Sequence, residues 1–199
     1  MVTIENTPPQ PPVPALVAPA PAGAGYPESA DERLARYLVE PETRRAPMRS
    51  EALASRATGH YAVIVPDRIP PQCVHSSGST YNINPLVLLS VLKVESGGRV
   101  GIVSRNTNGT DDLGPSQFNT SSWAKLLIEK YKIPREALIN DMCQSVRAMA
   151  FALRTEINGA GGDLWKGIGN YHSRTQKHHV KYVGLVYGAY RQMTSKGKF

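Results

Sequence analysis

The residue best suited to chemistry in this chain is Glu95, the one acidic side chain in the run NPLVLLSVLKVESGG from Asn84 to Gly98. Leu86, Leu89, Val91, Leu92 and Val94 leave that run almost no polar face, which implies a helix lying inside a helical domain. Asn84 can cap it, Pro85 suits a first turn where a missing N–H costs nothing, and Gly97-Gly98 offers a left-handed exit. A carboxyl held against apolar side chains has its charged form disfavoured, so its pKa rises and it can serve as a general acid near neutral pH. The same pattern also fits a surface Glu near a helix C-terminus, which the macrodipole disfavours only mildly.

Other reactive side chains are less decisive. Asp111 and Asp112 offer a second carboxylate, or simply order a loop through bonds to nearby backbone N–H groups. His172, His178 and His179 crowd together, but no acidic or Cys partner stands at ligand spacing, so no metal site is expected. Cys73 and Cys143 belong to no CxxC pattern; they fit two free buried thiols or one disulfide in an oxidising compartment.

The elements that must position these residues follow from capping and periodicity. A first helix is expected over 72–81, then the Glu95 helix, then a loop-like stretch over 99–119 with Asn106, Asn108, Gly109 and Gly114 as turn signals. Thr120 or Ser121 can cap a helix carrying Trp123, Leu126, Leu127 and Tyr131, and Pro134 marks a short one. Asp141 caps the clearest amphipathic segment, with Cys143, Val146, Ala150, Leu153 and Ile157 on its buried face. After a glycine-rich turn at 158–162, Asp163 caps a helix through Leu164, Trp165 and Ile168. A last helix over 177–193 would use Val180, Val183, Tyr187 and Tyr190. The sum is an all-α domain over 71–199.

The N-terminal part has a different composition. Residues 1–28 form a Pro/Ala-rich tether, with seven prolines before residue 26, that cannot build a core. Residues 29–70 form an extension with one short helix, capped by Ser29 and Glu32 and carrying Leu34, Tyr37 and Leu38 on one face; Tyr61–Val65 is a strand or a packed connector. Residues 1–60 hold 6 Lys+Arg against 7 Asp+Glu, whereas the remainder holds 17 against 9. Such an excess suits an anionic polymer: nucleic acid, an acidic membrane surface or a carboxylate-bearing wall. No nucleic-acid-reading motif accompanies it, and no apolar run approaches the roughly 20 residues of a membrane span. Glu5 and the prolines make a poor secretory signal, so export is expected to use leading residues not in this sequence or another route.

Four pieces in order, Glu95-Ser96-Gly97, the loop NTNGTDDLGPSQFNTSSW at 106–123, Met142-Cys143 opening a helix, and GIGNYHS at 167–173, resemble the lysozyme-like soluble lytic transglycosylase (SLT) domain. The branch they look most like is the small one associated with conjugation and type IV secretion, and the resemblance covers about residues 71–193. It implies that Glu95 is the catalytic acid, that Gln117 and Tyr171 line the sugar cleft, and that Asn119, Ser104 and His172 contribute to binding. It also implies a Cys73–Cys143 disulfide and no cofactor. Ser116 and Pro115 stand where the family has Met and an aliphatic residue, and His172-Ser173 where it more widely has Asn-Ala.

On that resemblance the expected activity is peptidoglycan cleavage between MurNAc and GlcNAc with formation of 1,6-anhydro-MurNAc, in the periplasm, opening the wall locally for a secretion or conjugation apparatus. Glycan strands would be the partner, with channel components reached through the N-terminal extension. A hydrolytic muramidase using Asp111 or Asp112, phage-encoded versions included, and a non-catalytic wall-binding scaffold are the alternatives.

Overall fold

The computed structural model describes residues 63–199. The tether and the Ser29–Glu32 helix expected from the sequence lie outside them. Seven helices and a small sheet follow in the order α1 (Pro71–Tyr81), α2 (Pro85–Ser96), β1 (Val103–Arg105), β2 (Asp111–Leu113), β3 (Phe118–Asn119), α3 (Trp123–Glu129), α4 (Arg135–Asn140), α5 (Met142–Gly159), α6 (Leu164–His172) and α7 (Gln176–Lys196). The domain is mostly helical, as expected.

Local chemistry sets most helix ends. The Asn84 side chain accepts from the Leu86 N–H at 2.8 Å, Asp141 from Gln144 and Asp163 from Lys166, each satisfying a donor that the first turn cannot use internally. Gly97, at φ 65°, ends α2, with the Gly98 N–H reaching back to the Leu92 carbonyl. Val63–Val65 runs extended into the domain; Val63 is fully buried, and Ile64 bridges Lys198 in parallel.

The core is organised around α5. It was expected to bury one face, but Ser145 through Leu153 are buried without interruption, because α1, α2, α4 and α6 all pack against it. Ser145, Ala148, Ala150 and Ala152 keep its girth small enough for that enclosure. Cys143, expected on the buried face, is only half-buried, and it bonds Cys73 of α1 across a Cα separation of 5.1 Å. Closing a loop of 70 residues restrains the unfolded chain by about 4 kcal/mol in the chain-entropy picture.

Two expectations need correction. The 99–119 stretch is not simply a loop but carries an antiparallel sheet of order β1-β2-β3, with Ser104 opposite Asp112 and Asp112 opposite Asn119. Its strands are too short to show an apolar alternation, and side chains hold it instead. Asn106 and Asn119 donate to the two Asp112 carboxylate oxygens at 3.0 and 2.7 Å, and Arg105 pairs with Asp111. The expected caps of the next helix are spent on this sheet: Thr120 accepts from the Asp111 N–H, Ser121 binds Asn119, and α3 starts after Ser122 with no side-chain cap.

The second correction concerns α7, whose buried residues are Tyr182, Val186, Ala189 and Met193, while Val180 and Tyr187 are exposed. Both sets recur at helical spacing. The set that faces α2 brings a phenol to a buried carboxyl, which the other would not.

Gly114 sits where β2 turns toward α4, at φ 66°, and a Cβ there would lie 1.9 Å from the Leu138 carbonyl oxygen. Gly114→Ala is expected to destabilise the domain by about 3 kcal/mol or more, through both the left-handed backbone and the clash; chemical denaturation of the two proteins measures it.

Candidate functional site

Glu95 is the penultimate residue of α2, so the way that helix ends fixes where its carboxyl points. The buried Ser96 hydroxyl donates to the Pro115 carbonyl at 2.7 Å and accepts from the Gly98 N–H at 3.1 Å, tying the helix exit to the turn between β2 and β3. From the other side, the Arg68 guanidinium donates to the Gly97 and Gly98 carbonyls, both at 2.9 Å, placing a cation at the negative end of α2.

The Glu95 carboxyl meets a cleft on one side and protein on the others. Tyr182 of α7 donates its hydroxyl to Oε1 at 2.5 Å. Burial pushes the carboxyl pKa up to about 7, with the Tyr182 hydrogen bond opposing and the charge of Asp112 adding. Near neutrality the group is therefore poised between acid and base. Tyr182 and Tyr171 are themselves held well above the usual phenol range, first by burial and then by the charge of Glu95, so both stay neutral donors.

The turn from Gly114 to Gln117 forms the adjoining wall, and it is fastened from several sides. Besides the Ser96 bond, the Tyr171 hydroxyl donates to the Ser116 carbonyl at 2.7 Å, and the buried Ser116 hydroxyl meets Ser145 Oγ of α5 at 2.8 Å. Ser116 thus pins the turn to α5 through a polar contact. Gln117 holds a left-handed φ of 49°, and its amide donates to the Gly114 carbonyl at 2.7 Å.

The cleft has a volume of about 650 Å³ and brings Glu95, Asp112, Gln117, Asn119, Tyr171 and His172 together, with Trp123 and His178 also on its walls. Asn119 has its amide and carbonyl engaged by Thr110, Asp112 and Ser121, so within the cleft it also holds the sheet together. His172 stacks on Tyr182, ring centres 4.3 Å apart and nearly parallel. Ser104 lies on β1 opposite Asp112, outside the cleft lining. Asp111 is likewise outside it, paired with Arg105. Among the described residues, no three His, Cys, Asp or Glu side chains come together as a metal site, and no helix is long and apolar enough to cross a membrane.

Residues 72–184 match the transglycosylase SLT domain. The chain belongs to the transglycosylase SLT family. Proteins similar to it include the invasion protein IagB of Salmonella typhi, 26% identical over 133 residues that span 63% of this chain and 81% of the relative. The invasion protein IagB of Salmonella typhimurium strain SL1344 is 26% identical over 125 residues, or 61% and 76% of the two chains. As an SLT-family domain, the protein is of the lytic transglycosylase type that acts on peptidoglycan in the cell envelope.

Sequence reasoning missed Tyr182 and Arg68, and Ser96 stood in the Glu95-Ser96-Gly97 motif without a role of its own. For Tyr182 a signal was present in Val186 and Ala189, which follow it at helical spacing, but the competing stripe through Val180 and Tyr187 hid it.

Two expectations follow for the SLT-family site. Tyr182→Phe removes a hydrogen bond that favours the carboxylate, so the Glu95 pKa rises further; the alkaline limb of the activity–pH profile should move upward while the maximal rate falls about tenfold or more. The folded protein keeps the Glu95 proton up to about pH 7, whereas an unfolded chain releases it near 4.5. That contribution to stability is present at low pH and lost as pH rises through about 7. Glu95→Gln should therefore raise Tm by about 5–10 °C at pH 8 and leave it nearly unchanged at pH 5, as read by calorimetry.

Proposed function

We propose that this protein is a lytic transglycosylase that cleaves the β-1,4 bond between MurNAc and GlcNAc, with Glu95 as its catalytic acid and base. The observation that carries the reading is the Glu95 carboxyl: held near pKa 7, hydrogen-bonded by Tyr182, and opening onto a cleft shared with Gln117 and Tyr171. Glycoside cleavage needs a proton for the leaving oxygen and a nucleophile at the anomeric carbon. Protonated Glu95 gives its proton to the GlcNAc O4 as the C1–O4 bond breaks. The N-acetyl oxygen of MurNAc assists at C1, and the 6-hydroxyl of the same sugar then attacks C1, passing its proton to the Glu95 carboxylate and closing the 1,6-anhydro ring. The acid is restored without water. Because the nucleophile belongs to the substrate, holding the sugar in a reactive shape is the protein's main remaining task, and Gln117 and Tyr171 stand where they can do it.

A hydrolytic reading has one observation in its favour: Asp112 lines the same cleft, and its charge reaches Glu95. Its two carboxylate oxygens, however, accept from Asn106 and Asn119, which makes it a brace of the sheet. Asp111 is turned to Arg105.

The wider role follows the same reading. Action on peptidoglycan and similarity to proteins named for invasion support a wall-opening task in the periplasm on behalf of an apparatus that crosses the envelope, such as a conjugation or type IV secretion channel. The N-terminal extension would supply the contact with its components.

Mass spectrometry of digested sacculi tests the chemistry. Anhydro-muropeptides are expected from the wild type, and Glu95→Gln should lose about a hundredfold or more of the activity. Products with reducing ends would instead favour hydrolysis, and wall binding with no release would favour a scaffold.

A further inference from the structure

The domain's positive charge is not where the candidate substrate would sit. Of the many Lys and Arg side chains among residues 63–199, none lines the cleft; its titratable lining is Glu95, Asp112, Tyr171, His172 and His178. The groups there able to carry positive charge are thus two imidazoles. They come from consecutive helices: His172 is the last residue of α6, and His178 lies in the first turn of α7. Both are solvent-facing, and among the described residues neither ring nitrogen pair forms a hydrogen bond or ion pair. The His172 ring is fixed by its stack on Tyr182, so its edge is presented in one orientation. Arg174, between the two helices, pairs with Glu156, and the neighbouring His179 imidazole packs against Gly169 of α6.

We propose that His172 and His178 form a recognition site for a carboxylate carried by the glycan strand, on the lactyl group or stem peptide, and that this site works only when the imidazoles are protonated. The inference rests on the peptidoglycan reading above and adds to it a regulated affinity. Each imidazolium offers two N–H donors to an acceptor that remains ionised well below pH 6. The groups facing the pair set its balance. For His172, burial and the charge of His178 disfavour the protonated form, and Asp112 on β2 favours it. An arriving carboxylate adds negative charge beside both rings, so binding and protonation reinforce each other. Falling pH also removes the negative charge of Glu95 from the same cleft, which lessens the repulsion an arriving carboxylate would meet.

The test uses full-length Glu95→Gln protein, in which the carboxyl no longer titrates and substrate is not consumed. Calorimetric binding is compared at pH 5.5 and pH 8 for uncrosslinked peptidoglycan strands with intact stem peptides and for chitooligosaccharide, which has a similar sugar backbone without carboxylates. The carboxylate-bearing strand should bind about fivefold more tightly at pH 5.5, as expected for two solvent-facing charge pairs, while chitooligosaccharide shows no such step. His172→Asn and His178→Gln in that background should each reduce the step, and together abolish it. A step that survives in the double variant, or that the neutral oligosaccharide shares, overturns the histidine assignment alone. Failure of a folded protein to bind either ligand at both pH values overturns the peptidoglycan reading and this inference with it.

Discussion

A carboxyl set among protein groups on all but its cleft side, at the end of an apolar helix, is a costly thing to maintain, and much of this fold is organised around tolerating it. If Glu95 were ionised without a partner, the loss of hydration would outweigh anything its apolar neighbours return. Two devices relieve that: the group keeps its proton to near neutrality, and Tyr182 supplies a short hydrogen bond to whichever form is present. Both require α7 to lie along α2 with the phenol facing inward, so the packing of the last helix and the ionisation of the acid are one constraint.

The cleft wall is built by the same economy of anchors. The turn from Gly114 to Gln117 is closed by the Gln117 N–H on the Gly114 carbonyl, but that bond alone does not seat it against the domain. It is fixed by Ser96, by Ser145 acting on Ser116, by Tyr171, and by the close seat of Gly114 on α4. Elements far apart in the chain therefore share control of one short turn. A side chain such as Gln117, which would contact the sugar, is carried by a backbone with little freedom to drift.

How much of this was legible in the residues depended on the range over which each cause acts. Asn84, Asp141, Asp163 and Gly97 announced helix ends because capping is local, and the structure places those ends where they indicated. Glu95, Gln117 and Tyr171 converge on one cleft, consistent with motifs separated by tens of residues. The small sheet was not visible, since its stability comes from Asn106, Asn119 and Asp112 side chains that meet only once the chain has turned back twice. Nor was the inward face of α7, because two apolar stripes satisfy the same periodicity and only the need of a residue 87 positions away selects between them. The net charge pointed to an anionic partner, yet the Lys and Arg side chains among the described residues lie outside the cleft, a distribution that composition cannot express.

The path by which the chain enters the domain has a mechanical side. Ile64 exchanges backbone hydrogen bonds with Gly197 and Phe199 beyond the last helix, and four residues later Arg68 grips the carbonyls at the exit of the Glu95 helix. Traction on the preceding segment would thus load both helices that together hold the acid and its phenol. Any body to which that segment is fastened has a short lever onto the cleft.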